Sequence, residues 1–561
     1  MVTKHLIPAL LTAAFCLIVF QRAGAQKLPA GPQVLSFFSD TDDTEQPYAL
    51  YLPKNFSEKK KYPLVVMLHG AGSNHRLELR RVFGKSNAPG ETDVEASLSF
   101  PAWKDVDYIV AAPYARGTAG YQGFVEKDVY DMLDDVKKRF RIDEDRTYLT
   151  GLSMGGGGTL WIGLSRPDIW AAIAPVCPAP PNGTKDLAPN ALNLPVHFFH
   201  GDADQAVPVA GTREWVKRLQ ELGTAVEYKE YPGVNHNSWE NAYAEEFIFD
   251  WFGKFKRNIF PDRVRFVTAR YKYRKAYWVE FDGLTSGTLA GIDARFTAAN
   301  QLEITTTALD GFTLNLKGHS RFKPGKPMLV SVDGKKFTVT SSGSTSFSKQ
   351  GGNWANTRYE TPATGKRPGA EGPVSEAFAS RHIYVYGTLD NPSPEVLKAR
   401  MDTANVAANW SVDRGWFLGR IKFYPRVIAD KDVRPSDLES ANLVLFGNKN
   451  TNSVIARYND RLPAELDASA ADYGLFYVFP VDKHYVAVSS GLPWWAGAEP
   501  GTGWRFLSPA QGLIPGYKDF VFFKGSAKNV LTEGYFDHDW HFPAEATKAL
   551  NASGVVRVAA Q

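Results

Sequence analysis

Cysteine is almost missing from this chain: two in 561 residues, Cys16 and Cys177. One cysteine lies beyond the first 25 residues, so once that segment, read below as a secretory signal, is removed no internal disulfide is expected in the protein. Its stability must come from packed cores. Cys177 ends the apolar run 171–176 and reads as a packed, inert thiol. A charge excess is missing too. Lysine and arginine number 64 against 60 acidic residues, a formal net charge of +4. Lys4 and Arg22 belong to the first 25 residues, which carry no acid, so the rest lies closer still to neutrality. That balance gives no electrostatic case for nucleic acid or an anionic membrane as partner. No glycine-rich turn carries the Lys-Ser or Lys-Thr pair of a phosphate cradle. Past the N-terminus no apolar run is long enough to span a bilayer. The pattern calls for no cofactor and no metal.

What is present begins with length. A chain of 561 residues exceeds what one core supports, so two to four domains are expected. Residues 1–25 read as a secretory signal: Lys4 in a basic start, an apolar stretch over 6–20, and Ala23-Gly24-Ala25 as a cleavage site. Gln26 would then be the first mature residue. Pro8 and the shortness of the stretch speak against a retained anchor, and Phe15 before Cys16 speaks against a lipid anchor. A secreted or periplasmic location is expected.

The residues after this segment turn on Gly151-Leu152-Ser153-Met154-Gly155. A short apolar and β-branched run (147–150) enters the motif and a helical run (156–162) leaves it. That is the context in which Gly-x-Ser-x-Gly makes a nucleophile elbow. The sharp turn requires small flanking residues and places the serine Oγ above the sheet, at the positive end of the next helix. Serine needs a base within hydrogen-bond reach, and candidates follow in the order acid then histidine. Asp202 and Asp204 stand after the run 196–201, and His236 stands after the run 225–231. The order Ser, Asp, His is that of an α/β-hydrolase triad. Oxyanion charge would be met by the Met154 N–H and by an N–H of the loop His69-Gly70-Ala71-Gly72-Ser73, with Ala71 and Gly72 as candidates. Buried runs at 62–68, 108–112, 170–174, 196–201 and 225–231 alternate with helical patterns, as a mostly parallel α/β sheet requires. An antiparallel hairpin (34–38, 48–52) precedes them. Amphipathic helices are predicted over 128–140 and, as the last element, over 239–256.

Residues 46–258 resemble the secreted α/β-hydrolases grouped with carbohydrate esterase family one, polyhydroxybutyrate depolymerases and prolyl-oligopeptidase-like hydrolases. The likeness runs through His69-Gly70, Ile142-Asp143, Asp145-Arg146, Gly151 to Gly156, His200-Gly201, Asp204, Val207-Pro208 and His236. It implies a catalytic triad of Ser153, Asp204 and His236. The family pattern Gly-x-x-Asp-x-x-Val-Pro selects Asp204 over Asp202, and gives His69 and His200 structural roles. Ala71 stands where lipase-type loops carry a second glycine. The implied activity is hydrolysis of carboxylic esters, with acetyl or feruloyl esters of plant polysaccharide as the expected substrates. A serine peptidase of prolyl-oligopeptidase type would use the same triad, and a glycan-binding protein could keep the scaffold without the chemistry.

From residue 264 the pattern changes to short alternating strands, read as a β-sandwich over 261–345. A Gly/Ser/Thr/Pro-rich linker is expected over 346–375, then a smaller α/β domain over 376–561 with a helix at 394–409. Trp278 and Trp354 would bind polysaccharide if exposed, although core positions suit tryptophan better. The cluster Asp537-His538-Asp539-Trp540-His541 has metal-ligand residue types, but one short cluster is a weak signal. The catalytic unit, 26–260, is expected to fold alone and act on small esters, the later blocks serving large substrates or stability.

Overall fold

The computed structural model describes residues 28–361, 363–410, 421–499 and 507–559; the segment read as a secretory signal lies outside them. Eight strands form the first sheet: β1 (Gly31–Ser39), β2 (Thr44–Leu52), β3 (Tyr62–Leu68), β4 (Ile109–Pro113), β5 (Ile142–Leu152), β6 (Ala172–Val176), β7 (Val196–Gly201) and β8 (Val226–Tyr231). Their order is β1-β2-β4-β3-β5-β6-β7-β8. β2 pairs antiparallel with β1 and β4, and the remaining neighbours are parallel. The sheet is covered on both faces, which is why β3, β4, β6 and β7 are apolar almost throughout and wholly buried.

Helices α1 (His75–Val82), α2 (Phe124–Arg139), α3 (Met154–Ser165), α4 (Ala210–Glu221), α5 (Trp239–Ala242) and α6 (Phe247–Phe252) supply that cover. Leu79 of α1 and Phe249 of α6 share a core with Val65 and Met67, while Val129, Leu160 and Trp215 share the opposite one with Leu64 and Val66. α2 starts one turn before the predicted position, because Gly123 turns the chain at φ 62° and Phe124 and Val125 are buried. The single helix predicted over 239–256 is instead broken. Glu245 and Glu246 take left-handed backbone angles between α5 and α6. The Tyr243 hydroxyl, 2.8 Å from Thr150 Oγ1, pins the chain before the break, and Phe249, Trp251 and Phe252 pack after it.

Ten strands between Arg263 and Ala355 form two five-stranded sheets around one core that includes Phe266, Phe281, Phe312 and Phe347. Ser344–Gln350 and Asn353–Ala355 are strands of this body, although they fall largely in the stretch read as a linker. Ser344–Gln350 pairs antiparallel with Leu309–Asn315 and buries Phe347. Ser346 and Ser348 bond the hydroxyls of Thr313 and Thr357, at 2.8 and 2.9 Å, so composition misread it. Trp278 and Trp354 are buried, with their indole N–H groups donated to the Pro261 carbonyl at 2.7 Å and Asp333 at 2.8 Å. Neither is free to stack on a glycan.

A seven-stranded mixed sheet follows between His382 and Gly534, with the helix Pro394–Ala408 beside it. Asp537 to His541 are not a strand. Asp537 accepts the N–H groups of Asp539 and His541, both at 2.9 Å, in a local turn.

The three bodies are not separate beads. Phe124, at the start of α2, stacks on Phe423 at 4.3 Å between centroids and meets Trp410 edge-on at 5.1 Å. Arg116 is 0% exposed. It pairs with Asp42 at 2.5 Å and with Asp128, and its carbonyl accepts the Lys422 N–H at 3.0 Å. On the sandwich side, Asn190 bonds both backbone groups of Val267, and the Tyr273 hydroxyl donates to Glu126 at 2.5 Å. The core below α2, α3 and α4 runs on into the C-terminal sheet.

Candidate active site

Ser153 leaves β5 and enters α3 with φ 54° and ψ −117°, a conformation that L-residues seldom hold. The packing that enforces it is tight. A Cβ on Gly155 would lie 2.1 Å from the Leu68 carbonyl oxygen, so only glycine lets α3 start this close to β3. The Ser153 N–H donates to the Val176 carbonyl at 2.9 Å, and its own carbonyl accepts from Gly157 and Ala179. Serine is thereby lifted out of the sheet, as the motif requires.

Asp204 follows β7. Its Oδ1 accepts the N–H groups of Ala206 and Val207, each at 2.8 Å. Its Oδ2 lies 2.7 Å from His236 Nδ1 and 3.1 Å from His200 Nε2. His236 Nε2 is 2.9 Å from Ser153 Oγ. Ser153, His236 and Asp204 therefore form one hydrogen-bonded line across 83 residues of sequence between serine and histidine. Because the carboxylate only accepts, a neutral His236 presents its Nδ1–H to Asp204 and a lone pair to the serine hydroxyl. Asp202, the other candidate acid, instead accepts the Gly233 N–H at 2.6 Å and takes no part in this line. The Asp and His loops are tied together. Asn235 Oδ1 accepts from Gln205 and His236, and a Cβ on Gly201 would strike the Val234 carbonyl at 2.1 Å.

The oxyanion candidates also separate. The Gly72 N–H is committed to Thr118 Oγ1 at 2.9 Å, whereas the Ala71 N–H has no partner among the described residues. Met154 is the first residue of α3, where an N–H has no intrahelical acceptor. His69 is buried, with Nε2 2.7 Å from the Tyr114 carbonyl oxygen and Nδ1 2.8 Å from that of Gly70, holding the loop that carries Ala71.

Several neighbours were not read from the sequence as part of the site. Trp239 stands edge-on to the His236 ring at 5.5 Å, with the Arg81 guanidinium 5.1 Å over its own ring. Its place three residues after the histidine was the only signal. Cys177 lies under the site, buried, and donates its S–H to the His236 carbonyl at 3.5 Å. Burial pushes this thiol up to about 12. Cys177, Asp204 and His236 bring three metal-ligand atom types within 4.8 Å of one another. All three are engaged with one another: Cys177 with the His236 carbonyl, and Asp204 with His236 Nδ1 in the triad line. Lys422, in the stretch leading to the C-terminal strand Val427–Ala429, places Nζ 5.4 Å over the Tyr114 ring, so that body reaches the residue just after β4.

The sheet order and the Ser–His–Asp line define an α/β-hydrolase. Residues 39–249 match the family model described as "Putative esterase". A protein of Arthroderma benhamiae (strain ATCC MYA-4681 / CBS 112371), named as an uncharacterized secreted protein, is 26% identical over 341 residues, 52% of this chain and 34% of its own length. A protein of Oryza sativa subsp. japonica named as a probable carboxylesterase is 28% identical over 152 residues, 26% of this chain and 56% of its own length. This chain thus spans about a third of one curated relative and just over half of the other. Among solved structures, a ferulic acid esterase of family CE1 from Anaeromyces mucronatus is 20% identical with a TM-score of 0.31, over 40% of this chain and 90% of its own.

Proposed function

We propose that the protein is a serine hydrolase that cleaves carboxylic esters through an acyl-enzyme. The observation that carries this reading is the continuous line Ser153 Oγ, His236 Nε2, His236 Nδ1, Asp204 Oδ2, with spacings of 2.9 and 2.7 Å, inside the stretch that matches the esterase family model. Ser153 Oγ attacks the ester carbonyl carbon as its proton passes to His236 Nε2. Asp204 holds the ring in place and stabilises the imidazolium. The oxyanion takes hydrogen bonds from the Met154 and Ala71 N–H groups. Collapse of the tetrahedral intermediate expels the alcohol, which receives the proton from His236. Water, deprotonated by the same ring, then releases the acid and restores the serine.

The finer reading is a secreted or periplasmic enzyme acting on acetyl or feruloyl esters of plant polysaccharide. Its support is the resemblance at the motif residues and the apolar N-terminal stretch of the sequence. Among the described residues no helix is long and apolar enough to cross a membrane. A panel of aryl acetates, feruloyl esters and prolyl-nitroanilides tests the class of bond. Ester turnover exceeding amide turnover is the expected result; prolyl-amide cleavage with negligible ester turnover would replace the esterase reading with the peptidase one.

The choice of acid has its own test. Asp204→Asn is expected to lower kcat on the preferred ester by on the order of a hundred- to ten-thousand-fold, because an amide no longer fixes the histidine tautomer. Asp202→Asn, which touches only the Gly233 turn, should stay within about threefold of wild type. The reverse ranking in steady-state kinetics would move the triad acid to Asp202.

A further inference from the structure

Asp204 Oδ2 lies between two imidazoles, and the mechanism above uses only one. The second belongs to His200, buried in β7. Its Nε2 is 3.1 Å from Asp204 Oδ2 and 3.0 Å from the Val207 carbonyl oxygen. Both neighbours only accept, so the proton must sit on Nε2. Burial holds His200 below the usual histidine range, which keeps a single proton on the ring. Nδ1 is then a lone pair, 2.8 Å from Thr212 Oγ1 on α4, and the threonine hydroxyl must be the donor. Thr212 is itself buried. The direction of every hydrogen bond along Thr212, His200, Asp204, His236 and Ser153 is thereby determined.

We infer that His200, anchored at Nδ1 by the Thr212 hydroxyl, is a positioning residue that fixes the Asp204 carboxylate toward His236. This rests on the esterase reading of the triad. Without the Thr212 donor the buried Nδ1 lone pair is left unpaired, and the ring loses the bond that anchors it opposite Asp204. A ring shifted off that anchor withdraws its Nε2–H from Asp204 Oδ2, and the carboxylate is free to turn from His236. The other titratable groups near this line leave that argument intact. Cys177, on the β6 side, is a protonated thiol bonded to the His236 carbonyl. Asp202 is bound in the Gly233 turn. Glu230 of β8 is paired with Arg213 at 2.6 Å.

The test uses the full chain and an aryl acetate. Thr212→Val preserves shape and removes the donor; Thr212→Ser restores a hydroxyl. Thr212→Val is expected to lower kcat about tenfold with KM unchanged, a modest share of the loss seen when a triad tautomer is wrong. The acidic limb of its kcat/KM profile should move to lower pH, because a carboxylate turned from His236 stabilises the imidazolium less. Thr212→Ser should recover most of both. His200→Leu, where it folds, should lower kcat in the same way. Wild-type kcat and pH profile in Thr212→Val would overturn the inference, as would equal losses in both threonine variants with no movement of the limb. If the unsubstituted chain neither turns over esters nor takes a fluorophosphonate on Ser153, the esterase reading itself falls, and the inference falls with it.

Discussion

Ser153→Ala is expected to lower kcat on an aryl acetate by at least about ten-thousand-fold and to move the melting temperature by no more than roughly 2 °C. The two numbers belong together. The hydroxyl is the group that forms the acyl-enzyme, and in the resting protein its side-chain partner among the described residues is His236 at 2.9 Å. Alanine keeps the Cβ and the φ of 54° that α3 imposes, so the fold loses a single partly exposed hydrogen bond. His236→Ala should cost about as much in kcat. The pair Ser153→Ala with His236→Ala should cost little more than either alone, since members of one triad fail as a unit. Fluorophosphonate labelling gives the independent readout: the wild type labels at Ser153, and the alanine variant does not. A well-folded Ser153→Ala protein with near wild-type turnover would remove Ser153 from the mechanism.

How far the sequence led differs between the site and the body around it. The elbow was legible because its neighbours repeat the same message: a β-branched strand before, a glycine-rich helix after, and a serine between them. Convergence of Asp204 and His236 on Ser153 was not legible from spacing, since the loops that bring them together are fixed by contacts such as Asn235 with Gln205 and the close approach at Gly201. Choosing Asp204 over Asp202 needed family likeness, and the carboxylate environment now gives a physical reason: four donors surround Asp204, and one turn N–H occupies Asp202. Ala71 and Gly72 could not be told apart, because the partner that engages Gly72, Thr118, lies 46 residues on. The last helix failed for a different reason. Trp239, Tyr243, Phe247, Trp251 and Phe255 repeat every four residues, which is the helical period, and no local signal marks the left-handed pair Glu245 and Glu246. Tertiary anchoring of Tyr243 overrode the pattern.

The expectation least supported by the structure is the independence of the catalytic unit, and it yields the other large effect. Ending the chain after Phe260 is expected to give a protein that aggregates or melts at least about 10 °C below the full chain. Two faces lose their cover at once. Phe124 loses Phe423 and Trp410, and Trp161 on α3 loses Tyr273, 6.1 Å away. Re-exposing each large aromatic forfeits about 2 kcal/mol of burial, and a domain of this size shifts by roughly 2–4 °C per kcal/mol. The charged groups at the same faces do not add to the loss. Arg116 stays paired with Asp42 and Asp128 inside the fragment, and Glu126, deprived of Tyr273, regains water. Apolar exposure therefore decides the outcome, and the bared aromatics form the kind of patch through which fragments associate. Size-exclusion chromatography and a thermal melt read the result, and Phe423→Ala in the full chain reports one face alone, with an expected loss of about 3–5 kcal/mol. A monomeric fragment melting with the full chain would restore the autonomous unit. Any fraction that does fold should still hydrolyse small esters, because the elements carrying Ser153, Asp204 and His236 all lie before the cut.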